Sequence, residues 1–137
     1  MSAIFHLAFN VRDLDEARTF YGDLLGCNEG RSTDSWVDFD FFGNQISLHL
    51  GEPFKTDATG KVGEHMVLMP HLGVVLPTDQ WQTLADKLEA AGTKFIIPPT
   101  LRFAGEPGEQ STMFFCDPSG NPIEVKTFAD MNEVFAS

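Results

Sequence analysis

The sequence predicts an α+β fold built from two copies of one module, a strand and a helix followed by three strands. Three observations carry this. The stretch Phe5-His6-Leu7-Ala8-Phe9-Asn10-Val11 returns in pattern as Pro70-His71-Leu72-Gly73-Val74-Val75-Leu76. Each copy leads into an amphipathic segment that stops at a glycine, Gly26 and Gly92. Each half closes on Gly-Asn-x-Ile, at Gly43-Asn44-Gln45-Ile46 and at Gly120-Asn121-Pro122-Ile123. Internal self-similarity of this kind marks a duplicated supersecondary unit. With 137 residues the chain has the size of one ordinary domain, and neither half holds enough core to stand alone. The implied division is a first module over about 3–51, a linker over about 52–66, a second module over about 67–128 and a tail over 129–137.

The elements follow in order. In the first strand Phe5, Leu7, Phe9 and Val11 alternate with His6, Ala8 and Asn10, the period of a half-buried strand. Asp13 with Glu16 three residues on reads as a helix start. Ala17, Phe20, Tyr21 and Leu24 then recur at helical spacing, and Gly26 suits the stop. Cys27 to Arg31 reads as a short strand, and Trp36 to Phe42 and Gln45 to Leu50 as two strands about a Gly43-Asn44 turn. Glu52 to His65 is polar and glycine-containing, and reads as the linker. In the second half Thr78 is placed to cap a helix whose apolar face is Trp81, Leu84, Ala85, Leu88 and Ala91. Phe95 to Ile97, Ser111 to Cys116 and Ile123 to Phe128 read as strands, with Asp117-Pro118-Ser119-Gly120-Asn121 a dense turn signal. The second half is longer than the first between helix and last strand, and the Gly/Pro-rich Ala104 to Gly108 is where the extra residues fall.

Composition excludes several functions. Hydrophobic residues make up 42% and charged residues 21%, which is globular and not disordered. The formal charge of −11 repels a phosphate backbone and an anionic membrane surface, so nucleic acid and membrane are not expected partners. It leaves small anionic substrates open, because a bound cation reverses the field locally. No apolar run approaches the roughly 20 residues of a bilayer span, and the first residues lack the basic and apolar regions of a signal peptide. A cytoplasmic location is therefore expected, with Cys27 and Cys116 reduced and without CxxC spacing.

The chemistry-bearing residues sit on strand faces. Residues two apart share a face, so His6, Ala8 and Asn10 go together, as do His71, Gly73 and Val75, Gln45, Ser47 and His49, and Glu124 and Lys126. The opposite faces are apolar and must cover the helices. If the halves join by a pseudo-twofold, the polar faces converge. Two imidazoles and a carboxylate would then make a 2-His-1-carboxylate set, which suits Fe(II) and leaves coordination positions open. Most strand histidines are hydrogen-bonded, part-buried residues. The repeat is what singles out His6 and His71, each followed by leucine and a small residue that leaves room beside it.

The marks His6-Leu7-Ala8, Phe20-Tyr21 with Leu24-Leu25-Gly26, His71-Leu72-Gly73 and Asp117-Pro118-Ser119-Gly120-Asn121-x-Ile-Glu124 resemble the vicinal oxygen chelate superfamily of glyoxalases, bleomycin-resistance proteins and extradiol dioxygenases. The chain looks most like its small single-domain, extradiol-type members. The resemblance implies paired βαβββ modules forming a cupped barrel-like mixed sheet with helices outside. It further implies metal ligands His6, His71 and Glu124, and a homodimer. It implies a dioxygenase holding a catechol-like small molecule through vicinal oxygens on Fe(II), with Mn, Zn or Ni as other cations. Two further classes stay open: a small-molecule binding protein of antibiotic-sequestering type, and a non-redox lyase or isomerase. Ser47 stands where glyoxalase I-type members place a fourth ligand. His49, on the same face, is the candidate general base, with a displaced fourth ligand or a packed side chain as its other readings. Arg102, Phe103 and Phe115 are the candidate substrate contacts, with Phe114 as a further apolar wall.

Overall fold

A computed structural model describes residues 2–62 and 65–136, excluding the Val62 side chain. The chain divides into two compact units, residues 1–55 with 117–121, and residues 56–116 with 122–137. In the first unit β1 (His6–Val11) leads through a helix to β2 (Asn28–Ser32), β3 (Trp36–Phe41) and β4 (Asn44–Leu50). These form a sheet of order β1-β4-β3-β2, parallel between β1 and β4 and antiparallel elsewhere. In the second, β5 (Asp57–Val62) and β6 (His65–Met69) form a hairpin of their own. There β7 (Leu72–Val75), β8 (Ile97–Arg102), β9 (Gln110–Cys116) and β10 (Pro122–Phe128) form a sheet of order β7-β10-β9-β8. Its β7–β10 pair is parallel. The two sheets share one topology, so the repeat read from the sequence is a βαβββ duplication.

The first helix starts where its cap predicts. Asp13 is extended, and its carboxylate accepts the Glu16 amide at 2.8 Å. The α1 turn (Leu14–Ala17) continues as a π-helical stretch, Arg18–Leu24. There Leu25 N donates to Phe20 O at 2.9 Å, one residue further back than an α-helical bond. This wider winding moves the buried position from the predicted Leu24 to Leu25, which is 5% exposed. Phe20 and Tyr21 are buried with Phe9, Phe39 and Phe41, mostly in edge-to-face pairs. The second helix, α2 (Thr78–Ala90), buries Trp81, Leu84, Ala85 and Leu88, and the Trp81 indole donates to Val125 O at 2.9 Å. No helix among the described residues is long and apolar enough to cross a membrane.

Local expectations are corrected in four further places. Thr78 is not the cap of α2: Pro77 holds that position, and the Thr78 hydroxyl instead meets Thr127 Oγ1 at 3.1 Å. Ala91 is exposed, because the helix ends there. The first hairpin turns at Phe42-Gly43, both with positive φ, and Asn44 already belongs to β4. The strand expected over Phe95 to Ile97 is β8, which begins at Ile97 and runs to Arg102 through Pro98 and Pro99. Its pairing with β9 slips between Ile97 and Thr100. A bulge on an edge strand is where proline's missing amide costs least.

The segment read as a linker is not structureless. It contains β5 and the start of β6, and Val67 of β6 is 1% exposed in a cluster with Ile97 and Phe114. Gly63 and Glu64, within that segment, lie outside the described residues. The polar outer residues hid the strands, because among the described residues only Val67 is deeply buried there.

Candidate functional site

Glu124 and His71 are brought together in the second unit. Glu124 lies on β10 opposite Gly73 on one side and Phe114 on the other. One of its carboxylate oxygens stands 3.4 Å from His71 Nε2, and the other accepts the Thr112 hydroxyl at 2.6 Å. His71 Nδ1 lies 2.8 Å from the carbonyl oxygen of Leu68. A carbonyl only accepts, so Nδ1 carries a proton for Leu68 and it is Nε2 that faces Glu124. The His71 ring stands edge-to-face on Phe114 at 4.9 Å. Both side chains are largely buried, 20% and 11% exposed.

Gly73 has a packing reason. A Cβ there would fall on the Glu124 backbone carbonyl, so its bareness lets the β7 and β10 backbones approach, and not a ligand, as the sequence suggested. Phe115 is likewise corrected. It pairs with Ile123 on the face away from Glu124, is fully buried and stacks edge-on with Phe95 at 6.2 Å. Directly opposed antiparallel residues share a face, so Phe114 is the ring beside the histidine. Arg102 and Phe103 do meet each other: the guanidinium lies 5.1 Å from the Phe103 ring centre, a cation–π contact. Phe103 has φ +57 and is 48% exposed.

The first unit holds the counterpart. His6, Gln45 and Asp40 fall in one row across β1, β4 and β3, and Ala8, Ser47 and Asp38 in the next. His6 Nδ1 lies 2.8 Å from Gln45 Oε1. Ser47 donates its hydroxyl to Asp38 at 2.6 Å. The predicted base His49 is exposed and stacks on Trp36, with ring centres 6.2 Å apart. It lines a cavity of about 450 Å³ with Ala8, Phe9, Asn10, Glu52 and Phe54. Asn10 closes one side by donating to Glu52 O at 2.9 Å.

Among the described residues no three His, Cys, Asp or Glu side chains are gathered to hold a metal ion. The pair His71–Glu124 is the part of the expected set that one unit holds by itself. Its chemistry fits a divalent cation, since an imidazole nitrogen and a carboxylate oxygen face each other, each steadied from behind by Leu68 O and the Thr112 hydroxyl. Thr112 and Asp38 were not foreseen as neighbours of the site residues, and Gln45, placed on the face of Ser47 and His49, was not foreseen as the partner of His6. Their signal, a polar side chain on the same strand face, is visible only once the register is known.

A model of the glyoxalase/bleomycin resistance protein/dioxygenase superfamily matches residues 3–125. The chain belongs to this superfamily. Within it, a glyoxalase/bleomycin resistance protein/dioxygenase from Alicyclobacillus acidocaldarius is 32% identical with TM-score 0.78, over 98% of this chain and 97% of that one. A genomically encoded fosfomycin resistance protein, FosX, from Listeria monocytogenes shares the fold at 18% identity and TM-score 0.68, over 97% and 98% of the two chains. So does a glyoxalase/dioxygenase from Nostoc punctiforme, at 18% and 0.69, over 93% and 92%. The superfamily thus spans several reactions on one scaffold, and the site has to distinguish them.

Of the two cysteines in this superfamily member, Cys27 is disarmed. Burial pushes its thiol from 9.0 up to about 12, the Asp40 charge adds to this, and a hydrogen bond with the Phe42 backbone opposes it. The protonated thiol is thus favoured in the folded chain. The unfolded thiol loses its proton first as pH rises past 9.0, so this group's contribution to stability falls between 9.0 and about 12. At pH 8 the folded thiolate population should be about a thousandfold below that of an ordinary thiol. Iodoacetamide should leave Cys27 unmodified in the native protein and label it in urea, read by peptide mass spectrometry. Labelling at equal rates in both states would contradict its burial.

Proposed function

We propose that this chain is a metal-dependent enzyme of extradiol-dioxygenase type, acting on a catechol-like small molecule through two vicinal oxygens. The ligand set is His6, His71 and Glu124, and the cation is Fe(II). One observation supports this above others: both repeat histidines have Nδ1 tied to an acceptor, Gln45 Oε1 and Leu68 O, both at 2.8 Å. In a neutral ring that arrangement puts the proton on Nδ1 and turns the Nε2 lone pair to ligation. When bound, Fe(II) supplies Lewis acidity and a template for substrate and dioxygen. The protein's part is to hold the Glu124 carboxylate with the Thr112 hydroxyl and to place Phe114 against the His71 ring. His49 then takes the substrate's remaining hydroxyl proton at a ring nitrogen, from beside the Asn10–Glu52 cavity wall. Arg102 meets a substrate carboxylate, and Phe103, which bears its charge, packs on the ring. Serine is a poor ligand for such a cation, so Ser47 at the fourth-ligand position disfavours the four-ligand isomerase reading. A homodimer belongs to this proposal on family grounds.

The test is anaerobic Fe(II) loading with elemental analysis, on the wild type, His71→Ala and Glu124→Ala, followed by oxygen uptake over a catechol panel. Stoichiometric iron in the wild type, with binding weakened by at least about tenfold in each variant, is expected. So is oxygen consumption that depends on both residues. Wild-type protein that binds no cation, yet binds small aromatics, would make it a binding module. Turnover without dioxygen would make it a lyase or isomerase.

A further inference from the structure

We infer that Asp38 and Gln45 are positioning residues that decide which nitrogen of His6 is free to ligate. This deepens the proposed function and rests on His6 being a ligand there. Asp38 lies on β3 directly opposite Ser47 on β4 and is 8% exposed. Its two oxygens take two different donors: Ser47 Oγ at 2.6 Å and Gln45 Nε2 at 3.4 Å. A carboxylate offers acceptors only, so the end of the Gln45 amide that faces it is the NH2 end. The amide oxygen is thereby turned toward β1, where it meets His6 Nδ1 at 2.8 Å. An amide oxygen cannot donate, so the proton of that bond resides on Nδ1, and Nε2 is left with its lone pair.

The choice is made by Asp38 and not by His6. With the amide reversed, its NH2 would donate into Nδ1 and force the imidazole proton onto Nε2, where it blocks ligation. Its oxygen would then face the Asp38 carboxylate, acceptor against acceptor. The Gln45 amide is therefore a two-position element, and the buried carboxylate weights one position. Ser47 holds that carboxylate in place from its other oxygen. The second unit reaches the same tautomer at His71 with a main-chain carbonyl, Leu68 O. The first unit does so with three side chains on adjacent strands.

The experiment reads the imidazole directly. In metal-free, uniformly ¹⁵N-labelled protein at pH 8, long-range ¹H–¹⁵N correlation should show His6 protonated at Nδ1. Gln45→Leu should move the proton to Nε2 and weaken Fe(II) binding, measured anaerobically, by about tenfold or more. Asp38→Ala should give a mixture of the two forms, because the amide is free to turn. Asp38→Asn should keep the wild-type form, since its carbonyl still accepts from Gln45 while its NH2 meets Ser47 Oγ. Circular dichroism of each variant checks that the fold is retained. A wild-type His6 protonated at Nε2, or a ring unchanged in Gln45→Leu, overturns the inference. Wild-type protein with the expected tautomer but no affinity for Fe(II) upholds the relay and overturns the ligand reading, so the two failures are separable.

Discussion

Replacing Asp117 with alanine should cost about 4 kcal/mol, among the largest single-residue losses this protein can show. The carboxylate is 4% exposed and takes four donors inside the first unit. These are the Tyr21 hydroxyl at 2.7 Å, the amides of Ser119 and Asn121 at 2.9 Å, and Asn121 Nδ2 at 3.0 Å. Tyr21 is fully buried and Asn121 is 1% exposed, so neither can turn to water when the acceptor goes. Orphaned buried donors lose their full hydrogen-bonding energy, roughly 1–3 kcal/mol each. The turn also ties the end of β1, since Ser119 Oγ accepts the Arg12 amide at 2.9 Å and Asn121 Nδ2 donates to Asn10 O at 3.0 Å. Tyr21→Phe removes one donor and leaves the carboxylate three, so its cost should be about 1.5 kcal/mol. Urea unfolding at constant m-value measures both. A loss below about 1 kcal/mol for the alanine variant would show that these bonds are replaced by solvent.

Much of the fold was legible because its signals are local. The alternation of Leu7, Phe9 and Val11, the Asp13 cap and the Gly26 stop each act within a few residues, and the duplication repeats the pattern; Phe5, expected on the same face, precedes β1 and is 65% exposed. What stayed hidden depends on winding or on partners. Leu25 replaces Leu24 in the core because the helix widens after Ala17, and nothing in the spacing announces that. The strand read over Phe95 to Ile97 runs on through Pro98 and Pro99, because β8 is an edge and tolerates them at a bulge. The β5–β6 hairpin read as linker because its outer residues are polar, while Val67 alone among its described residues is deeply buried.

The site divides the same way. That His71 and Glu124 share a strand face follows from period two on β7 and β10, and the structure sets them 3.4 Å apart. Phe115 was misplaced by one residue, because a strand's face is fixed by its partner's register and not by its own composition. Phe114 and Phe115 are both fully buried, and only the pairing with Glu124 separates their roles. Asp38 and Thr112 gain their meaning from hydroxyl–carboxylate bonds across strands, both 2.6 Å. In one unit the acid is on the central strand and in the other on its neighbour, so no alignment of the two halves would reveal the pair.

Gly73→Ala should be the most damaging of the glycine substitutions. A Cβ at this position collides with the Glu124 carbonyl oxygen and crowds the Glu124 amide nitrogen at 3.3 Å, and both are backbone atoms. No side-chain rotation relieves that, so the parallel pair of β7 and β10 must part, at about 3 kcal/mol or more. Two other glycines calibrate the effect. At Gly60 an added Cβ meets the Val67 and Met69 side chains at 2.8 and 2.9 Å, which can shift, so the cost should be about 1–2 kcal/mol. At Gly26 the space is open but φ is +78, and the left-handed backbone alone sets a cost of about 1 kcal/mol. Urea midpoints should therefore fall in the order Gly73→Ala, Gly60→Ala, Gly26→Ala, with Gly73→Ala lowest. Because β7 positions His71 and β10 carries Glu124, Gly73→Ala should also speed amide exchange at Val125 and lower cation affinity, whereas Gly26→Ala should leave both unchanged. Equal midpoints for Gly73→Ala and Gly26→Ala would mean that the two strands stand further apart than the Glu124 carbonyl position implies.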